Sequence, residues 1–215
     1  LLSLFILISV ATCTSGQAPI AECGGIRFLN VLIGFERPGG AAPGDDEIRK
    51  DYMTDGTTTE LDFEWKAGAT IQTEFGVAAA STGIKKNALA PIRNPGFVPT
   101  VFEWKDTDSR IVFQEMVRVD WDDVMAYAQT YVINNTGGPL DVSMGISSDD
   151  SVQVLLNGEE AWINNIPRPG SDACAPQDRS PDGFIFTETH VLEPGSNSLI
   201  LKVFDGTGGW EFAFR

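Results

Sequence analysis

Histidine is almost absent: the 215 residues hold one, His190. A Ser-His-Asp system would rest on that residue alone. It lies between Thr189 and Val191 in an apparent strand, where a structural or surface histidine fits better than a general base. Three cysteines and one histidine also argue against a zinc site, which draws on several such ligands. Basic residues are scarce too, with 15 Lys and Arg against 30 Asp and Glu and a formal net charge of -15. Such a chain repels phosphate backbones, so nucleic acid is excluded as an expected partner. The apolar run Leu1–Val10 is too short to span a membrane as a helix. The Gly-rich phosphate loops and the Gly-x-Ser-x-Gly elbow are missing. These absences favour a non-enzymatic role.

What is present is apolar, glycine-rich and proline-rich. Hydrophobic residues make up 42%, enough for a buried core, and 22 Gly with 12 Pro favour strands and turns over helix bundles. Leu1–Val10 followed by small polar residues reads as the apolar part of a secretory signal peptide, itself partial because no initiator Met or basic start precedes it. Gly16-Gln17-Ala18 places small residues for cleavage after Ala18, so residues 1–18 are expected to be removed and 19–215 to form the module. A rival reading makes Cys13 a lipid-anchored residue after Val10-Ala11-Thr12. Removal of Cys13 would leave Cys23 and Cys174, an even pair in an oxidising compartment; a disulfide and two separate thiols both remain open.

Short strands separated by turn residues recur along the chain. Ile26–Phe35 is apolar enough for a buried strand, and Glu47–Tyr52 for one helical turn. Thr70–Phe75, Val101–Trp104 and Ile111–Val117 read as strands, with Asn94-Pro95-Gly96 and Asp106–Ser109 as turns. From residue 124 the pattern sharpens. Strands are expected over Val124–Ile133, Leu140–Ile146, Ser151–Leu156, Glu160–Ile163, Gly183–Val191, Ser198–Phe204 and Trp210–Phe214, with Ser147–Asp150 breaking the second. Asn157-Gly158 is a strong hairpin signal, because both residues accept positive φ. The expected class is all-β: an antiparallel sandwich, jelly-roll-like, most evident over 124–215.

Clustered acids are best used on hard cations such as calcium, which take oxygen ligands. Asp149 and Asp150, at a strand boundary, are the leading metal candidates; Asp45-Asp46-Glu47 and Asp120–Asp123 are others. None has EF-hand spacing, and for each a solvated turn is the plainer reading. A paired-carboxylate hydrolase needs two carboxyls facing across a cleft, which composition alone does not specify. Aromatic rings near loops suit stacking on sugars. Trp162 with Asn164, Asn165 and Arg168 forms the candidate ligand-binding set, and the loops Asn164–Asp182 and Asp205–Gly209 are expected to line the site. Trp210 shares its side with Phe212 and Phe214, so core packing is favoured there. Asn134-Asn135-Thr136 fits a glycosylation sequon.

Ser148-Asp149-Asp150-Ser151, the strand Val152–Leu156 and Asn157-Gly158 together resemble galactose-binding-like and protective-antigen-type sandwich modules of large secreted bacterial proteins. Leu192–Leu199, Lys202-Val203-Phe204 and Gly208-Gly209-Trp210 look like their closing strands, so the resemblance covers about residues 126–214. It extends more loosely to Asp51–Gly56 and Ala78–Gly83. The resemblance implies an extracellular or cell-surface module that binds a carbohydrate or cell-surface polymer beside other domains of its own chain, with Asp149 and Asp150 as calcium or structural-turn residues. A structural or adhesion spacer and an accessory part of a glycoside hydrolase are the alternatives. The long loop Asn164–Asp182 departs from the pattern.

Overall fold

The computed structural model describes residues 30–36, 44–53, 59–65, 100–103, 110–114, 122–166 and 185–214. Readings that concern Leu1–Ala18, the three cysteines, Thr70–Phe75, Asn94–Gly96, Asp106–Ser109 and Arg168 lie outside the described residues.

Alternating side chains set the architecture. The strands are β1 (Asn30–Glu36), β2 (Thr100–Glu103), β3 (Arg110–Val112), β4 (Val124–Asn134), β5 (Leu140–Asp149), β6 (Val152–Leu156), β7 (Glu159–Asn164), β8 (Ile185–Leu192), β9 (Gly195–Asp205) and β10 (Glu211–Phe214), with one short helix, α1 (Asp45–Arg49), after β1. Six strands pair in the order β2-β1-β4-β9-β6-β7, and four in the order β3-β10-β5-β8. Every pairing is antiparallel. The chain is therefore an all-β, two-sheet sandwich.

The residues of period two meet between the sheets. Val124, Ala126 and Ala128 of β4, Val152 and Val154 of β6, and Leu199, Leu201 and Val203 of β9 face Met144, Ile146, Phe212 and Phe214 of the smaller sheet in one buried cluster. Each fully buried Val, Leu, Ile or Phe side chain here contributes about 1.5–3 kcal/mol. Trp210 is fully buried in the same cluster, its indole N–H donating to Val203 O at 3.2 Å. The core role expected of it holds.

The opposite face of the larger sheet is also covered. Met125, Tyr127, Leu155, Ile200 and Phe204 pack beneath Ile48, Tyr52 and Met53 of the α1 segment. On this face Lys202 alternates with Ile200 and Phe204 and is completely buried. Its ammonium donates to Lys50 O at 2.8 Å and lies 3.0 Å from Glu60 Oε2. Tyr127 donates to the same Glu60 oxygen at 2.6 Å and accepts Tyr52 N–H at 3.1 Å. Burial pushes the Glu60 carboxyl above its ordinary range, against the pull of Lys202. Burial likewise lowers the Lys202 ammonium, against the pull of Glu60. Burial and the Glu60 carboxylate hold the Tyr127 phenol well above its ordinary value.

Several boundaries differ from expectation: α1 spans Asp45–Arg49 rather than Glu47–Tyr52, and β9 begins at Gly195 rather than Ser198. The strand expected over Ile111–Val117 ends at Val112, because Phe113 and Gln114 turn helical and Phe113 packs its ring on Trp210 at 4.7 Å. The break expected at Ser147–Asp150 comes later: β5 runs on to Asp149, since Ser147, Ser148 and Asp149 pair with Ala213, Phe212 and Glu211. The hairpin at Asn157-Gly158 forms as expected, with φ of 53° and 86°.

Candidate functional site

Strand register brings three aspartates to one end of the sandwich. β5 ends at Asp149 and β6 begins at Val152, so Asp150 sits in the tight connection between the two sheets. β9 ends at Asp205, which pairs with Val124. Each of Asp149, Asp150 and Asp205 offers a carboxylate oxygen, and these atoms lie within 4.8 Å of one another. Asp205 is fully buried, Asp150 nearly so, and Asp149 half-buried.

The backbone fixes this corner. Asp150 N–H donates to Phe204 O, and Phe204 N–H returns to Ser151 O, both at 2.8 Å. Ser148 Oγ donates to Asp150 O at 2.7 Å, and Gly206 N–H donates to Asp150 Oδ2 at 2.8 Å. The peptide bond between Asp149 and Asp150 is cis. The turn after β9 closes over Asp149. Its Gly208 has φ of 100° and accepts the Gln114 side-chain amide. A Cβ on Gly209 would overlap Asp149 Oδ2 and lie 3.3 Å from its Cγ, so only glycine admits the carboxylate at this approach.

Three converging carboxylates in a low-dielectric corner repel one another, and a hard divalent cation offsets that repulsion through oxygen ligands. The donor set is all oxygen, with no histidine or thiol, which suits calcium rather than zinc. Six to eight ligands are usual for calcium, so carboxylates from three residues leave room for ligand oxygens. The cluster contains both aspartates that the sequence marks and adds Asp205, which sequence reading leaves in a turn. The signal for Asp205 is its place at the end of an alternating strand just before Gly206.

The other acidic candidates are arranged differently. Asp45 and Asp46 lie exposed in the first turn of α1, and the half-buried Glu47 accepts the Tyr52 hydroxyl at 2.5 Å. Asp122 and Asp123 lie just before β4, while Asp120 lies outside the described residues.

Of the expected ligand-binding set, Trp162 is half-buried and packs against the inter-sheet core, opposite Val154. Asn164 pairs with Val152 near the aspartate corner and is 7% exposed. Its Nδ2 has no hydrogen-bond partner among the described residues. Asn165 accepts Ser151 Oγ at 3.4 Å, next to Asp150. The strand thus places Asn164 and Asn165 at the same end as the aspartates. Asn134, the sequon asparagine, donates from Nδ2 to Gly138 O and Leu192 O, both at 2.8 Å. With both amide hydrogens engaged and 4% exposure, it is a turn-forming residue in the folded chain.

No protein-family model matches the chain, and no curated protein matches its sequence. Among solved structures it is similar to the PA14 domain of the MpAFP antifreeze protein, at 12% identity and TM-score 0.39 over 96% of this chain and 84% of that one. It is also similar to the PA14 sugar-binding domain from an RTX adhesin, at 9% identity and TM-score 0.36 over 88% and 90%. At these values the fold rests on the chain's own strand order and register, and the site on its own geometry. Among the described residues no helix is long and apolar enough to cross a membrane.

Proposed function

We propose that this chain is a non-catalytic, extracellular binding module that holds a calcium ion at Asp149, Asp150 and Asp205 and takes a carbohydrate through it. The observation that carries the reading is the convergence of three carboxylates from β5, the β5–β6 connection and β9 within 4.8 Å. Adjacent sugar hydroxyls are hard oxygen donors and can complete the coordination left open by the aspartates. Asn164 supports the same end of the sandwich as the ligand end, because its buried amide nitrogen has a donor to give there. Trp162, half-buried, stands two residues from Asn164 on the same strand, an aromatic residue at the same end.

The geometry favours binding over hydrolysis. Retaining and inverting glycosidases hold their carboxyls roughly 5–10 Å apart across an open cleft. Here the oxygens crowd closer, and two of the three residues are buried. His190 pairs with Val142, well along β8 from that corner, and is poorly placed to act as a base there. A glycan array probed with the protein in calcium and again in EDTA tests the reading. Binding in calcium that EDTA abolishes is expected. Silence across the array in both buffers would leave a structural spacer as the better account.

A further inference from the structure

The turn that closes the aspartate corner is loose by composition and tight in the fold. It follows β9 as Gly206-Thr207-Gly208-Gly209, three glycines in four residues. Glycine loses more conformational freedom on ordering than any other residue, so this stretch needs ties from elsewhere to hold one shape. Yet Gly209 lies so near Asp149 that a Cβ there would overlap the carboxylate.

The ties sit at both ends of the turn. Its first residue is bound to the corner itself: Gly206 N–H donates to Asp150 Oδ2 at 2.8 Å, and Gly206 O accepts Asp123 N–H at 3.1 Å. Its last residues are bound to the segment just after β3. Phe113 N–H donates to Trp210 O at 2.9 Å, and the Gln114 side-chain amide donates to Gly208 O across 94 residues of sequence. Those two carbonyls flank Gly209. Two adjacent residues thus grip the turn on either side of the glycine that meets Asp149. The grip has a rigid base, because the buried Phe113 ring stands 4.7 Å from Trp210 and 5.6 Å from Phe212. Gln114 itself is half-buried, and its amide contacts Gly208, so its route to the carboxylates runs through the turn.

We infer that Gln114 is a positioning residue of the cation site: its amide latches Gly208, so that Gly209 is seated against Asp149 before an ion arrives. The inference rests on the calcium reading given above. A seated turn keeps the Asp149 carboxylate beside Asp150 and Asp205, and binding then forfeits less conformational freedom. Loss of one neutral hydrogen bond corresponds to an affinity change of about three- to tenfold.

Calcium affinity of the full chain, measured by competition with a chelating dye, tests this in the parent, Gln114→Met, Gly209→Ala and the double variant. Gln114→Met should weaken calcium by about three- to tenfold. Its Tm in EDTA should move by less than about 4 °C, since the released turn regains the freedom that the bond had removed. In the Gly209→Ala background, where the approach to Asp149 is already lost, the same change should cost less than about twofold. Amide relaxation of the labelled protein in EDTA should show residues 206–209 more mobile in Gln114→Met than in the parent. The inference is overturned by parental calcium affinity in Gln114→Met, by an undiminished further loss in the Gly209→Ala background, or by a turn equally rigid in both proteins. A larger fall of Tm in EDTA also overturns it, because Gln114 would then act on stability alone. A parent that binds no calcium would overturn the calcium reading itself, and the inference with it.

Discussion

Replacing Lys202 with Met should destabilise the chain severely, even though methionine fills much of the same space. Lys202 is fully buried, 3.0 Å from Glu60 Oε2, and it ties Lys50 O and Glu60 to the outer face of the larger sheet. Removing one partner of a buried ion pair leaves the other charge stranded, at a cost of about 3–5 kcal/mol. For a chain of this length each kcal/mol moves Tm by about 2–4 °C, so Lys202→Met should lower Tm by roughly 6–20 °C. The double variant Lys202→Met/Glu60→Gln removes both charges and keeps an acceptor for the Tyr127 hydroxyl, which donates to Glu60 at 2.6 Å. It should recover most of the loss, because desolvation already works against both charges: burial raises Glu60 and lowers Lys202. The pH dependence of the single variant follows. A carboxyl whose folded pKa lies above its unfolded one contributes stability below the unfolded pKa and loses it as pH rises through the folded value. The deficit of Lys202→Met should therefore shrink on acidification toward the unfolded Glu60 value. Urea unfolding followed by tryptophan fluorescence, with Cm and m compared across the three proteins and across pH, measures all of this. A loss below about 1 kcal/mol in the single variant, or a double variant no more stable than it, would refute the reasoning.

Two further substitutions probe the turns. Asn197 is fully buried and its side chain holds Glu193 N and O, Gly195 O and the Asn157 amide at the far end of the sandwich. Asn197→Ala should cost about 2–4 kcal/mol in the same urea assay, since each orphaned buried group costs about 1–3 kcal/mol; a surface-like loss of a few tenths would contradict the network. Gly209→Ala should push the Asp149 carboxylate aside and weaken calcium at least about tenfold, read by competition with a chelating dye, while unchanged affinity would show that the close approach does not matter.

The fold was largely legible because the second half alternates cleanly. Val152 and Val154, Leu199 and Leu201, and Phe212 and Phe214 point inward as their spacing predicts. The hidden elements are those whose burial comes from sequence-distant cover. Lys202 stands in an alternating strand, and only the α1 segment folding over it reveals a buried charge. The same limit applies at the site. Asp149 and Asp150 are adjacent and stand out, whereas Asp205 joins them through antiparallel pairing across more than fifty residues, and Gly209 matters only through its contact with Asp149. The hairpin at Asn157-Gly158 was legible from its two residues alone, because both accept the positive φ that the turn requires.

Calorimetric titration of calcium into the chelator-stripped protein, run beside Asp205→Asn, addresses the cation site most directly. One ion bound per chain, with the heat lost or strongly reduced in the variant, is the predicted result. No heat in the parent protein, or equal binding in Asp205→Asn, would contradict it.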